Sequence, residues 1–419
     1  MMKKSDVIVI GAGLAGLTAA SAAAKDGHSV TLLTKGVGTL AFGGGVIDIL
    51  GYAQQRRLQS PREIFAALPK EHPYAISGQA AVEQGVEYIR NLCAAANYPL
   101  DGSLDENILI PTAAGTLKPS CLVPKTMNAA DMPAAKAITV IGFEGLKDFY
   151  PAMVIMGLKG HKGYGEKQFS SLMVRTDLAQ GRDITNLDIA RWLDQEAAQA
   201  SLVQQISATV APGSYILMPP VLGTEPSYDL WQKVEAATGC RVVEVAAPPP
   251  AITGSRLRTL LMRTIKEQGI RLIEHTHVRR AEYQGKRCSA VITQHLDRER
   301  RYEAGAFILA AGGFLGGGLD ATPEGFYEPI FNLPVTSDGL ACAPSGSLFD
   351  SNEVFRAGIR VDALLRPCDA KGDVLYENLH VAGKMLAGYD YSVEKSGNGV
   401  AVVSGFQAAQ AAVRSGKND

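Results

Sequence analysis

The residues best suited to chemistry in this sequence are glycines in four segments, each placed where a backbone would meet a ligand. Gly11-Ala12-Gly13-Leu14-Ala15-Gly16 has the spacing of a phosphate-binding turn. In such a turn Gly11 permits the tight bend, Gly13 the close approach of backbone to phosphate, and Gly16 the packing of helix on strand. With 44 glycines in 419 residues, chance supplies about 0.5 matches to this spacing, so its position between a strand and a helix carries the meaning. The second segment, Gly36 to Gly45, ends in Phe42-Gly43-Gly44-Gly45. Three consecutive glycines make a poor helix or strand interior and suit backbone amides lying against a flat ring. The third is the apolar run from Ala306 into Ala311, Gly312 and Gly313, whose small residues let the chain pass close to the first loop. The fourth comprises Asn378 to Gly383 and then Ser396-Gly397-Asn398-Gly399, ahead of a final helix. A helix N-terminus carries about half a positive charge and suits an anionic group.

These elements must hold the segments in place. Residues 6–10 (DVIVI) read as a buried strand, LTAASAAAKDG as a helix stopped by Gly27, and His28 to Thr34 as a second strand, a βαβ start of about 30 residues. Strands are expected at 137–141, 214–218, 241–245 and 306–311, an amphipathic helix at 254–268, and a last helix from about Val400 to Val413. Pro248 to Pro250 mark a connector. The fold class is α/β, a Rossmann-like dinucleotide-type domain formed by 1–110 and 250–419, interrupted by an inserted α/β domain at 111–249. His380 lies within an apolar strand and reads as a satisfied core histidine.

The end of the second strand, where an acid usually holds an adenosine ribose, is Thr34-Lys35, and no acid stands between Asp26 and Asp48. A phosphate-bearing, ring-containing cofactor is therefore expected, with the adenosine contact left open.

Charge and cysteine usage narrow the class. Lys plus Arg number 41 and Asp plus Glu 42, a balance that argues against a nucleic-acid binder. Cys93, Cys121, Cys240, Cys288, Cys342 and Cys368 are dispersed without a C-x-x-C pair, so neither an iron–sulfur or zinc site nor a disulfide framework is expected. No run reaches the ~18 apolar residues of a spanning helix, and the expectation is a cytoplasmic protein.

The four segments, in this order, resemble the flavin-binding domain of the fumarate reductase and succinate dehydrogenase flavoprotein superfamily. Gly43 to Asp48 (GGGVID), His72-Pro73-Tyr74, Gly115-Thr116-Leu117-Lys118, Gly142 to Phe149 (GFEGLKDF), Leu365-Arg366-Pro367 and Glu377-Asn378-Leu379 narrow the likeness to the B-subunit family of anaerobic glycerol-3-phosphate dehydrogenases. The resemblance implies oxidation of sn-glycerol 3-phosphate to dihydroxyacetone phosphate, with electrons passed to a quinone. It implies FMN, with FAD as the alternative; FMN needs no acid at Thr34-Lys35. The partners it implies are a catalytic A subunit and an iron–sulfur C subunit at the inner face of the cell membrane, this chain touching the membrane only through them. Cofactor contacts are expected from Gly11, Gly13, Gly16, Thr34, Lys35, Gly43, Gly44, Gly45, Ala311, Gly312, Gly383, Asn398 and Gly399. Oxidising a phosphorylated alcohol needs a base and cations, for which His72, Arg256 and Arg366 are the candidates. Three rivals stand beside this reading: an electron-relay subunit without substrate chemistry, a stand-alone FAD oxidoreductase of the fumarate reductase type, and a structural subunit with a degenerate flavin fold.

Overall fold

The computed structural model describes residues 4–178, 181–295, 298–323, 325–336 and 353–416; Cys342 lies outside them. Two compact units divide the chain, Met1–Thr39 with Asp48–Leu92 and Leu261–Asp419 forming the first, and Leu40–Ile47 with Cys93–Leu260 the second. The sequence expectation drew its boundaries at 110/111 and 249/250. In the structure the second unit also takes 93–110 and 250–260, and residues 40–47, where Ile47 exchanges backbone hydrogen bonds of 2.9 and 3.1 Å with Leu122.

The first unit opens with β1 (Ser5–Ile10), α1 (Leu14–Ala24) and β2 (Val30–Leu33). Its seven-stranded sheet runs Arg271–Ile273, β2, β1, Arg298–Leu309, Arg287–His295, His277–Gln284, with Leu379–Val381 also paired to Arg298–Leu309. The strand Arg298–Leu309 has two roles. Its first half pairs antiparallel with Arg287–His295, while 304–309 run parallel beside β1 in the register Ser5↔Ala304 to Ile10↔Leu309. Parallel strands covered on both faces read as continuous apolar runs, and Val7, Ile8, Val9 and Ile10 are all buried. The last helix, Gly397–Ser415, packs on α1. A Cβ at Gly405 would overlap the carbonyl of Ala15, so the two helices approach as closely as they do only through glycine.

The second unit holds a four-stranded parallel sheet in the order Gln168–Val174, Ala137–Phe143, Tyr215–Met218, Arg241–Glu244. Helices Pro151–Lys159, Asn186–Leu193, Glu196–Thr209 and Asp229–Thr238 accompany it. Helix Ile252–Glu267 then carries the chain back into the first unit.

Candidate functional site

Glycine loops of the first unit gather at the C-terminal ends of its parallel strands, the edge at which ligands bind in open α/β sheets. Gly11 has φ +107°, and a Cβ on it would overlap Ala310 O, so the first turn and the end of Arg298–Leu309 are in backbone contact. A Cβ on Gly16 would overlap Gly11 O, which is why α1 can sit down on its own turn. Gly13 differs: it caps α1 in an extended conformation and nothing lies within 4 Å of where its Cβ would be. Its Cβ position faces open space at the start of α1, where turns of this kind receive a phosphate. Ala311 and Gly312 (φ +85°) follow directly on Ala310. Gly383 has φ +75°; a Cβ there would come within 2.9 Å of the Ala15 Cβ, and its N–H donates to Ser404 Oγ at 2.8 Å.

The remaining cofactor candidates of this unit serve packing as well. Thr34 is buried, and its hydroxyl donates to Gly36 O at 2.6 Å, while Lys35 is exposed. Gly38 follows, its Cβ position 3.0 Å from Gly13 Cα, so the chain after β2 folds over the first turn without presenting an acid. Gly399 donates its N–H to Asp48 O at 3.0 Å, and a Cβ on it would overlap the Tyr74 hydroxyl. Asn398, beside it, is half-buried.

The Gly43–Gly45 run belongs to the second unit, where the first turn of Ile252–Glu267 clamps it. Thr253 Oγ1 donates to Gly44 O at 2.8 Å, a Cβ on Gly45 (φ +69°) would lie 2.5 Å from Thr253 O, and a Cβ on Gly254 would overlap Gly43 O. Gly44 itself points into open space. The same turn carries Arg256, which is fully buried. Its Nη1 and Nη2 donate to Glu244 at 2.6 and 3.0 Å and its Nε to Gly223 O at 2.9 Å. Burial opposes the guanidinium charge, and Glu244 more than restores it, so the pKa stands above its ordinary value. Arg256 therefore ties the helix to the interior of its unit, and its donors are unavailable to a substrate phosphate.

His72 and Arg366 are likewise committed. His72 caps the short helix Pro73–Ser77, its Nδ1 accepting the Tyr74 N–H at 3.0 Å. That bond leaves the proton on Nε2, which donates to Glu394 Oε2 at 3.2 Å. The His72 ring is buried, with both nitrogens engaged in these two bonds. Arg366 donates through Nε and Nη2 to Asp362 Oδ2 at 2.8 and 2.6 Å. His380 is a core histidine: Nδ1 donates to Leu364 O at 2.8 Å, Nε2 faces Ser415 Oγ at 3.3 Å, and burial lowers its pKa to about 4.

Sequence reasoning missed the segment between Gly383 and the last helix. Asp390 Oδ1 accepts from the Ser392 and Val393 N–H groups, and Glu394 gathers His72, the Asp390 N–H and the Ser396 hydroxyl. The hydroxyl of Tyr389 and Asp390 Oδ2 are buried without a hydrogen-bond partner. Lys384 is half-buried, with its ammonium 4.3 Å from the centroid of the Tyr391 ring. The acids and aromatics of residues 389–394 were the available signal; of the partners named, only His72 stands far away in sequence.

The model of the FAD binding domain family matches residues 6–400, which makes the chain a flavoprotein of the FAD-binding class. The B subunit of an anaerobic glycerol-3-phosphate dehydrogenase from Vibrio cholerae serotype O1 is 30% identical over 426 residues, covering 98% of this chain and 96% of its own length. A probable B subunit of the same kind from Halobacterium salinarum is 28% identical, covering 98% of each. The chain belongs to the family of anaerobic glycerol-3-phosphate dehydrogenase B subunits. Among solved structures, 3-ketosteroid delta1-dehydrogenase from Sterolibacterium denitrificans matches 98% of this chain and 100% of its own at 12% identity and a TM-score of 0.46.

The residues at the sheet edge fit a flavin: a glycine turn with an open Cβ position at Gly13, close backbone approaches at Gly11 and Gly16, and the start of a 19-residue helix. Among the described residues no helix is long and apolar enough to cross a membrane.

Proposed function

We propose that this chain is a flavin-bearing subunit in the oxidation of sn-glycerol 3-phosphate to dihydroxyacetone phosphate, with electrons passed to a quinone through partner subunits. The observation that carries this reading is the Gly11–Gly16 turn, with the Gly13 Cβ position open at the start of α1, in a chain that aligns along 98% of its length with named B subunits. A bound flavin supplies the two-electron acceptor. The chain's own part is to hold it. Gly13 and the N-terminus of α1 receive a phosphate, Ala311, Gly312 and Gly383 keep the backbone close, and the Ser396–Gly399 turn opens the helix whose N-terminus favours negative charge. His72 and Arg256 act through Glu394 and Glu244, as positioning residues.

The finer cofactor reading is FMN. It is supported by the end of β2, where the Thr34 hydroxyl is spent on Gly36 O and the sequence carries no acid between Asp26 and Asp48. The partners proposed are a catalytic A subunit and an iron–sulfur C subunit, through which this chain reaches the cytoplasmic face of the membrane.

A second reading, electron relay without substrate chemistry, is favoured by one observation: His72, Arg256 and Arg366 all hold internal partners. The purified chain, loaded with flavin and given glycerol 3-phosphate and an artificial acceptor, separates the two. Turnover by the chain alone eliminates the relay. Flavin reduction only when the A subunit is added eliminates independent substrate oxidation. A chain that takes up no flavin overturns both.

A further inference from the structure

We propose that Lys384 faces the bound flavin ring and supplies the positive charge that its reduced, anionic form requires. The inference rests on the flavin reading above and assigns a residue that neither its glycine pattern nor its relatives' names point to.

Lys384 stands where the loops of the first unit meet. Its backbone follows Gly383, which is pressed against Ala15 of α1 and donates to Ser404 of the last helix. Its carbonyl lies 3.2 Å from the Cβ position of Gly313, so the third glycine loop touches it as well. Its side chain reaches the first turn of the last helix, where Lys384 Cε is 3.6 Å from the Cβ position of Gly397.

The ammonium at that end is half-buried and pairs with no carboxylate among the described residues; its neighbour is the Tyr391 ring, 4.3 Å away. Burial lowers its pKa, so loss of water costs its charge more than the Tyr391 ring returns. A helix N-terminus and an ammonium in one place repel each other, and an arriving anion relieves both at once. Gly13 and α1 already provide for a phosphate, which leaves the ring as the group Lys384 would meet at the start of the last helix.

The test uses the flavin-loaded full chain and the variants Lys384→Met, Lys384→Gln and Lys384→Arg. Midpoint potential is measured by spectroelectrochemistry, oxidised-flavin affinity by titration, and lysine accessibility by trinitrobenzenesulfonate labelling with and without flavin. Lys384→Met and Lys384→Gln should hold reduced flavin at least tenfold less tightly relative to oxidised flavin, a fall of ~30 mV in the two-electron potential. Lys384→Arg should retain the wild-type potential, and flavin should protect Lys384 from labelling. Equal weakening of both redox states, with the potential unchanged, would mean that Lys384 meets a phosphate and overturns the proposal. So would labelling indifferent to flavin. Wild-type chain without flavin overturns the flavin reading itself, an outcome distinguishable from the other two.

Discussion

His72 Nε2 donates to Glu394 Oε2 at 3.2 Å, across 322 residues of sequence. That bond joins the His72-Pro73-Tyr74 turn to the turn that opens the last helix, since the same carboxylate oxygen accepts from Ser396 Oγ at 2.9 Å. It converts a residue whose type suggests a base into an anchor for the helix N-terminus. His72→Asn keeps an acceptor for the Tyr74 N–H and should lose about 1–3 kcal/mol; His72→Ala, which also leaves that N–H unpaired, should lose more. Urea unfolding of the two variants checks the order, and equal stability to wild type would remove the anchor role.

Arg256 and Glu244 form an ion pair with both side chains at 0% exposure. Removing one partner strands a buried charge, so Arg256→Met should cost about 3–5 kcal/mol. Adding Glu244→Leu to Arg256→Met should restore part of that loss. Chemical denaturation of the single and double variants measures the coupling; strict additivity would show that the pair does not act as a unit.

The first turn offers a sharper contrast. Gly13→Ala places its methyl in open space and should change apo stability by less than about 1 kcal/mol. Its flavin affinity should fall at least tenfold, ~1.4 kcal/mol. Gly16→Ala drives a methyl into Gly11 O and should destabilise the apo chain by about 1–3 kcal/mol. Flavin titration beside thermal unfolding distinguishes the two; a Gly13→Ala chain that binds flavin normally would remove the phosphate from this turn.

His380 predicts a pH dependence with a definite sign. Burial holds its pKa at about 4, below the 6.5 of an unhindered imidazole, so the unfolded chain binds the proton first as pH falls. Stability from this group is complete above about pH 6.5 and is lost progressively toward pH 4, by roughly 3 kcal/mol in all. A His380→Gln variant should show a flatter stability profile across that window. An unchanged slope would show that the ring protonates without cost.

Much of the fold was legible because its signals are local. The β1–α1–β2 unit announces itself within about 30 residues through apolar runs and fixed glycine spacing. The strands expected at 214–218 and 241–245 stand at Tyr215–Met218 and Arg241–Glu244, and the helix expected at 254–268 at Ile252–Glu267. What could not be read depends on partners far away in sequence. Residues 40–47 go to the second unit because Ile47 finds Leu122 and Gly45 finds Thr253. His72, Arg256 and Arg366 have residue types that suit catalysis, and only their partners Glu394, Glu244 and Asp362 show that they are engaged. Lys384 escaped notice because nothing in its local sequence says that three glycine loops close around it.

The most direct measurement is the identity of the chromophore released when the purified chain is denatured and its small molecules are weighed by mass spectrometry. A flavin with the mass of FMN is the predicted result. FAD would keep the site at Gly13 and contradict the reading of Thr34-Lys35, and a chain that yields no flavin, even after reconstitution, would contradict the central claim.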